Sequence, residues 1–164
     1  MAFPRHTQQW SIAEVSTAHR LVLSLPWFGV TIGVVLRAYR WAALTFIPPS
    51  AGGVVLVSLV IGLALLCGLS TLHLANFTLR SWRGRAPALG AFIALGESAA
   101  SLALIAIGQE RLARATATLA DWPGAALGIL YSRVLVLSLY ALALAAVVIV
   151  LRRADLASEE PKAS

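Results

Sequence analysis

Glu97 is an ionisable residue close to the midpoint of the third of four apolar stretches in this 164-residue sequence. A charged side chain at the centre of a membrane helix costs about 2.5–3.5 kcal/mol on insertion scales, so it requires a partner or a function. The helix face that carries it is defined by residues at spacings of three and four: Gly90, Ala94, Glu97, Ser101, Leu104 and Gly108. Because small residues dominate this face, we expect Glu97 to point towards a neighbouring helix.

Arg133 is the corresponding cation in the fourth apolar stretch, with Tyr140 two turns further along the same helix face. If the third and fourth stretches are antiparallel neighbours, Glu97 and Arg133 differ in depth by about 7 Å at 1.5 Å per residue. A long arginine side chain spans much of that distance, so we predict a contact between them. Three roles are open: a structural ion pair that fixes helix register, a proton or ion relay, or an anion-binding site on Arg133.

His73 belongs to a polar stripe in the second apolar stretch, at spacings of three and four with Asn76 and Arg80. The stripe predicts hydrogen bonds to another helix; the alternatives are a proton shuttle or an axial ligand to a pigment or haem. Bis-histidine haem ligation needs a second histidine at the same depth, and His19 is expected about 10 Å closer to the cytoplasm. Haem is therefore disfavoured, and no motif implies a cofactor.

The composition indicates a membrane protein. Apolar residues make up 59% of the chain and charged residues 12%, against about 45–50% and about 25% in soluble domains. We predict an all-α integral membrane protein, a four-transmembrane-helix bundle. The expected boundaries are an interfacial segment at 1–20, spans at about 21–47, 54–79, 87–108 and 125–151, and a flexible polar tail at 154–164. Residues 80–85 are expected to form a basic turn, and 109–120 a helical extension.

The distribution of basic residues predicts that both termini are cytoplasmic, because Lys and Arg near span ends are retained on that side. Eight basic residues fall on the predicted inner side: Arg5, Arg20, Arg80, Arg83, Arg85, Arg152, Arg153 and Lys162. Four fall on the outer side: Arg37, Arg40, Arg111 and Arg114. Twelve of the 13 basic residues are arginine, which we interpret as the codon bias of a GC-rich bacterial genome. The expected location is the bacterial inner membrane.

Two sets of residues favour contacts with other molecules. A polar patch on the outer side is expected to bind a partner protein or lipid headgroups: Arg37, Arg40 and Trp41, facing Glu110, Arg111 and Arg114. Small residues at intervals of four allow close helix packing within the bundle or against another chain: Gly29, Gly33, Ser58, Gly62 and Gly68.

Several classes of function lack their sequence signatures. The chain has no Gly-x-Ser-x-Gly, His-Glu-x-x-His or phosphate-loop motif, and no pair of intramembrane carboxylates for proteolysis. The single cysteine, Cys67, excludes an intramolecular disulfide or a Cys-x-x-Cys redox site. Basic residues are spread over the span ends and are not gathered on one soluble face, so nucleic-acid binding is not supported. We do not predict an enzyme or a metal site.

In length, span number and the Arg37/Arg40 cluster that ends the first span, the chain is similar to the four-span small subunits of tripartite periplasmic-type transporters. The acidic and aromatic residues expected in that family at the start of the second span are replaced by residues 50–53, Ser-Ala-Gly-Gly, and no family is assigned. The resemblance favours a non-catalytic subunit or scaffold that packs against another membrane protein complex or against itself. The alternative is a small oligomeric transporter or channel that uses Glu97, Arg133 and His73.

Overall fold

A computed structural model describes residues 22–46, 52–112 and 115–159 of the protein. In these residues the chain forms a bundle of four long helices. The helices are α1 (Leu25–Phe46), α2 (Gly52–Leu74), α3 (Leu79–Ala106) and α4 (Trp122–Glu159). Between α3 and α4, the two-residue strands β1 (Arg111–Leu112) and β2 (Ala115–Thr116) pair antiparallel. The interfacial segment predicted at 1–20 lies outside the described residues.

Three helices in the described part of the chain are long and apolar enough to cross a membrane. Their apolar segments are Leu56–Leu74, Leu79–Ala106 and Trp122–Ala154. Helix α1 is not among them; it carries Arg37 and Arg40 in its second half. The structure therefore supports a helical membrane protein.

Helix α3 is the central element of the bundle. Helices α1 and α4 pack extensively against α3, whereas α2 has its main contact with α1 and touches α3 and α4 only lightly. A buried apolar cluster draws residues from all four helices: Phe28, Ile32, Leu36, Leu66, Leu89, Ile93 and Leu137. A second cluster, towards the start of α3, contains Leu74, Trp82, Ala86 and Ala141.

Glycines allow the helices around α3 to approach closely. A Cβ on Gly33 would collide with the backbone of α3 at Ile93 and Glu97, and one on Gly96 would collide with the backbone of Val30 in α1. On the other side of α3, a Cβ on Gly90 would lie 2.8 Å from the carbonyl oxygen of Arg133. Close backbone contact of this kind is how small residues stabilise helix pairs in membranes.

The connection between α2 and α3 differs from the prediction. Residues 80–85 were expected to form a basic turn, with the next helix starting at Pro87; instead α3 starts at Leu79 and contains Pro87. Thr78 precedes the helix in an extended conformation, and its carbonyl accepts hydrogen bonds from the backbone N–H and hydroxyl of Ser81. The indole N–H of Trp82 donates to the carbonyl oxygens of Leu74, the last residue of α2, and of Phe77 in the connection. The Leu74 carbonyl also accepts a hydrogen bond from the backbone N–H of Phe77.

The segment after α3 is also not the predicted helical extension. Gly108 adopts a positive φ of 67°, and the backbone N–H groups of Gln109 and Glu110 both donate to the carbonyl of Leu104, closing the end of α3. The chain then forms the β1–β2 pair before α4. At the other end, α4 continues to Glu159, into the region predicted as a flexible tail; residues 160–164 lie outside the described part.

Candidate functional site

Glu97 and Arg133 form an ion pair between α3 and α4. Nη2 of Arg133 donates to Oε2 of Glu97 at 3.0 Å, and Nε of Arg133 donates to Oε1. Glu97 is 1% exposed, and the Arg133 side chain is 24% exposed. The contact predicted from helix periodicity is present, and its two parallel hydrogen bonds have the fork geometry in which an arginine neutralises a carboxylate most effectively.

A second ion pair joins Arg37 of α1 to Glu110, two residues that were expected to face each other in the outer patch but were not predicted to form a buried pair. Both oxygens of Glu110 accept hydrogen bonds from Arg37, one from Nε at 3.1 Å and one from Nη2. Nη2 of Arg37 also donates to the hydroxyl of Ser101 at 3.1 Å. Arg37 is 4% exposed, so its placement in a surface patch was wrong: its charge is satisfied inside the protein by Glu110. A spacing of four from Gly29 and Gly33 puts Arg37 on the packed face of α1, and this signal indicates burial.

The two ion pairs converge on one face of α3. Glu97 and Ser101 are one turn apart on that helix; the first binds Arg133 of α4, and the second binds Arg37 of α1. Gly33 packs at the backbone of Glu97, and Gly90 packs at the backbone of Arg133. Each helix crossing therefore lies next to a charged contact, an arrangement that fixes the register of α1 and α4 on α3.

His73 lies away from these ion pairs, in the last turn of α2. It is 0% exposed, and its Nδ1 lies 2.7 Å from the carbonyl oxygen of Val22. Its ring packs against those of Phe28 and Phe77, at centroid distances of 5.9 and 4.9 Å. A bond from a protonated Nδ1 to Val22 leaves Nε2 as an acceptor. Within the described ranges Nε2 has no hydrogen-bond partner.

The other predicted polar residues do not extend the His73 stripe into the bundle. Asn76 is exposed beyond the end of α2 and donates to the carbonyl of Leu72. The Tyr140 hydroxyl lies 2.7 Å from the hydroxyl of Thr71 and links α4 to α2. No hydrogen bond between the residues that the structure describes connects these groups to the Glu97–Arg133 pair.

The outer patch and the small residues divide into buried and accessible members. Arg40 is exposed, Trp41 is half-buried, Arg111 lies in β1, and Arg114 is outside the described ranges.

The small residues differ in what surrounds them. A Cβ on Gly29 would collide with Phe92, and one on Gly62 would lie 3.5 Å from the Tyr39 ring. The Tyr39 hydroxyl donates to the Ser58 carbonyl. Gly68, by contrast, has open space on its side-chain side.

A cavity of about 410 Å³ opens between α1 and α2 and reaches Arg133 of α4. Its polar lining consists of Tyr39, Arg40, Ser58 and Arg133, and its remaining lining is apolar: Leu36, Ala43, Leu44, Leu59, Gly62 and Leu63. The cationic character of this cavity suits an anion attached to an apolar body.

The described residues contain no group of three or more His, Cys, Asp or Glu side chains that would hold a metal ion.

The arrangement as a whole neutralises charge inside a membrane bundle and leaves apolar helix surfaces outside it. Both buried ion pairs are closed by two hydrogen bonds from the arginine to the carboxylate. No family model matches the chain, and neither a curated protein nor a solved structure matches it.

Proposed function

We propose that the chain spans the bacterial inner membrane four times, with both termini in the cytoplasm. Helix α1 has 22 residues, or about 33 Å at 1.5 Å per residue, enough to cross the roughly 30 Å hydrocarbon core. The charge of Arg37 is compensated by Glu110, which lowers the cost of placing α1 in lipid. A reporter enzyme active only in the periplasm, fused to the C-terminus, should be inactive; activity would contradict this topology.

We further propose that the protein is a non-catalytic membrane subunit or scaffold that packs against another membrane protein. The supporting observation is that Glu97 and Glu110 are buried and each binds an arginine through both oxygens. A transport pathway must keep its ionisable groups beside water so that ions or protons exchange with them. Carboxylates closed by arginine forks instead stabilise one arrangement of helices, which is what a docking subunit requires.

Helix α2 offers the docking face. It has limited contact with the rest of the bundle, and 17% of its apolar segment is buried. The apolar segment of α4 is 11% buried, but α4 packs extensively against α3. Its exposed side chains are large and apolar: Leu56, Val57, Leu59, Val60, Ile61, Leu63, Leu65 and Leu72. Gly68 adds an open notch on this helix, at which the backbone of a partner helix can approach closely.

The test is recovery of the tagged protein from its native membranes in mild detergent, followed by mass spectrometry of what accompanies it. We expect a membrane protein at fixed stoichiometry, and a Gly68→Leu variant should recover much less of it. Gly128→Leu is the matched control, because Gly128 also faces open space but lies on α4. Recovery of the chain alone, together with ion flux in liposomes that Glu97→Gln abolishes, would contradict the proposal and support a transporter.

A further inference from the structure

We propose that the cavity between α1 and α2, lined by Arg40 and Arg133, binds one anionic phospholipid. In this arrangement Arg40 contacts the phosphate, and an acyl chain lies between α1 and α2. The proposal requires the membrane placement argued above, but it does not depend on the docking function. Leu59 and Leu63 belong both to the exposed face of α2 and to the cavity lining, so a bound lipid and a protein partner would contact adjoining parts of α2.

The apolar lining of the cavity accounts for the acyl chain. Its volume of about 410 Å³ is within the usual range of small-molecule sites. Leu36, Leu59 and Leu63 provide apolar walls on both helices, and Gly62 leaves room between them. The hydrogen bond from the Tyr39 hydroxyl to the Ser58 carbonyl joins the two helices at this site, so the cavity has a fixed connection between its walls.

The charges at the cavity account for the anionic headgroup. Arg40 is exposed and, among the residues that the structure describes, has no carboxylate within ion-pair distance. Arg133 gives two hydrogen bonds to Glu97, while a guanidinium carries five N–H groups. The cavity therefore contains one uncompensated cation, Arg40, and further N–H donors on Arg133. The phosphate of a lipid and its neighbouring ester oxygens accept hydrogen bonds from these groups.

The depth of the two arginines matches the shape of a phospholipid. Arg40 is six residues from Phe46 at the outer end of α1, about 9 Å along the helix, and the adjacent Trp41 is a residue type enriched at the membrane interface. Arg133 is 11 residues from Trp122 at the start of α4, about 16 Å along the helix. The deeper arginine is placed to bind ester oxygens, and the shallower one to bind phosphate.

Native mass spectrometry of the delipidated full-length protein tests this assignment. The probes are phosphatidylglycerol and phosphatidylcholine with identical acyl chains, added at equal concentration. We expect one phosphatidylglycerol per protein, with a preference of at least five-fold over phosphatidylcholine. Arg40→Gln should reduce that preference about five-fold, because one arginine near the surface contributes about 1 kcal/mol. Arg152→Gln is the matched control, because Arg152 is an exposed arginine near the end of α4.

A second pair of variants tests the acyl-chain part. Gly62→Leu should fill the cavity and reduce binding of both lipids, whereas Gly68→Leu, on the same helix but facing open space, should leave binding unchanged. Thermal unfolding without lipid verifies that each variant is folded. If Gly62→Leu is not folded, the comparison of Arg40→Gln with the wild type decides the question. Equal binding of the two lipids by the wild type would overturn the proposal. So would thermal protection by inorganic phosphate alone that equals the protection given by phosphatidylglycerol.

Discussion

Gly33 of α1 packs directly on the backbone of Glu97 in α3, so that a Cβ at Gly33 would lie 2.7 Å from the Glu97 amide nitrogen. One of the close backbone contacts between α1 and α3 is thus at the residue that binds Arg133 of α4. Helix packing and charge neutralisation meet at one position, and a displacement of α1 changes the surroundings of the ion pair.

Replacement of Gly33 with alanine should therefore destabilise the bundle. We expect Gly33→Ala to lower the free energy of unfolding by about 1–3 kcal/mol, because the added methyl group meets backbone atoms that cannot move aside as a side chain would. Gly128→Ala is the matched control: its Cβ meets nothing within 4 Å, and alanine favours helix over glycine by about 1 kcal/mol. Unfolding in detergent, followed by circular dichroism, measures both. Equal stability of the two variants would contradict the close-packing account.

The Glu97–Arg133 pair should show strong coupling in a double-mutant cycle. Glu97→Gln or Arg133→Met alone should cost about 3–5 kcal/mol, because each leaves an uncompensated polar or charged group in the bundle. The double variant should recover most of that loss, as measured by unfolding in detergent and by the yield of folded protein. Additive losses in the double variant would mean that the two residues act independently and do not form a structural pair.

The Arg37 site should respond more to loss of its carboxylate than to loss of its hydroxyl partner. Glu110→Gln leaves Arg37 buried without a counter-charge and should cost about 3–5 kcal/mol. Ser101→Ala removes one hydrogen bond to a charged group and should cost about 1.5–3 kcal/mol. The same unfolding measurement ranks the two variants. The reverse order would indicate that Glu110 does not carry the compensation of Arg37.

Asp121, before the start of α4, should make the β2–α4 connection sensitive to pH. The hydroxyl and the backbone N–H of Thr118 donate to its carboxylate, at 2.6 and 3.0 Å, and hold the pKa of Asp121 below its ordinary value. A lowered carboxyl pKa in the folded state contributes stability above the unfolded-state pKa of about 3.9. That stability is lost as the pH falls through the folded-state pKa.

Hydrogen exchange of the Thr118 amide tests this dependence. After correction for the intrinsic effect of pH on exchange, protection should be constant from pH 7 to about pH 5 and should decline below about pH 4. An Asp121→Ala variant should lack this protection at every pH. A wild-type protein whose protection does not change with pH would contradict a role for the carboxylate.

The sequence predicts the Glu97–Arg133 contact because that contact depends only on helix periodicity and on the relative depth of two antiparallel helices. The Arg37–Glu110 pair depends instead on where the chain leaves α3. Residues 109–120 are rich in helix-forming types, and the pattern does not reveal that Gly108 ends the helix with a positive φ. Glu110 then folds back towards α1 and accepts hydrogen bonds from Arg37, a tertiary contact that local composition does not encode.

The start of α3 shows a second limit. The connection at 75–78 contains neither glycine nor proline, whereas Pro87 is a strong signal for a helix start and led to a predicted boundary eight residues too late. What holds the true connection is the indole N–H of Trp82, which donates to the carbonyls of Leu74 and Phe77. A tryptophan near a span end is typical of an interfacial anchor, so its role in closing α2 is visible only in the folded chain.

The central claim is that the intramembrane charges hold a docking subunit together and do not conduct. The most direct measurement is co-purification from native membranes with the double variant Glu97→Gln, Arg133→Met, compared with the wild type by mass spectrometry. The account predicts that the folded double variant recovers the same membrane partner at the same stoichiometry. A folded double variant that recovers no partner would contradict it. So would ion flux across liposomes that the wild-type protein supports and that Glu97→Gln abolishes.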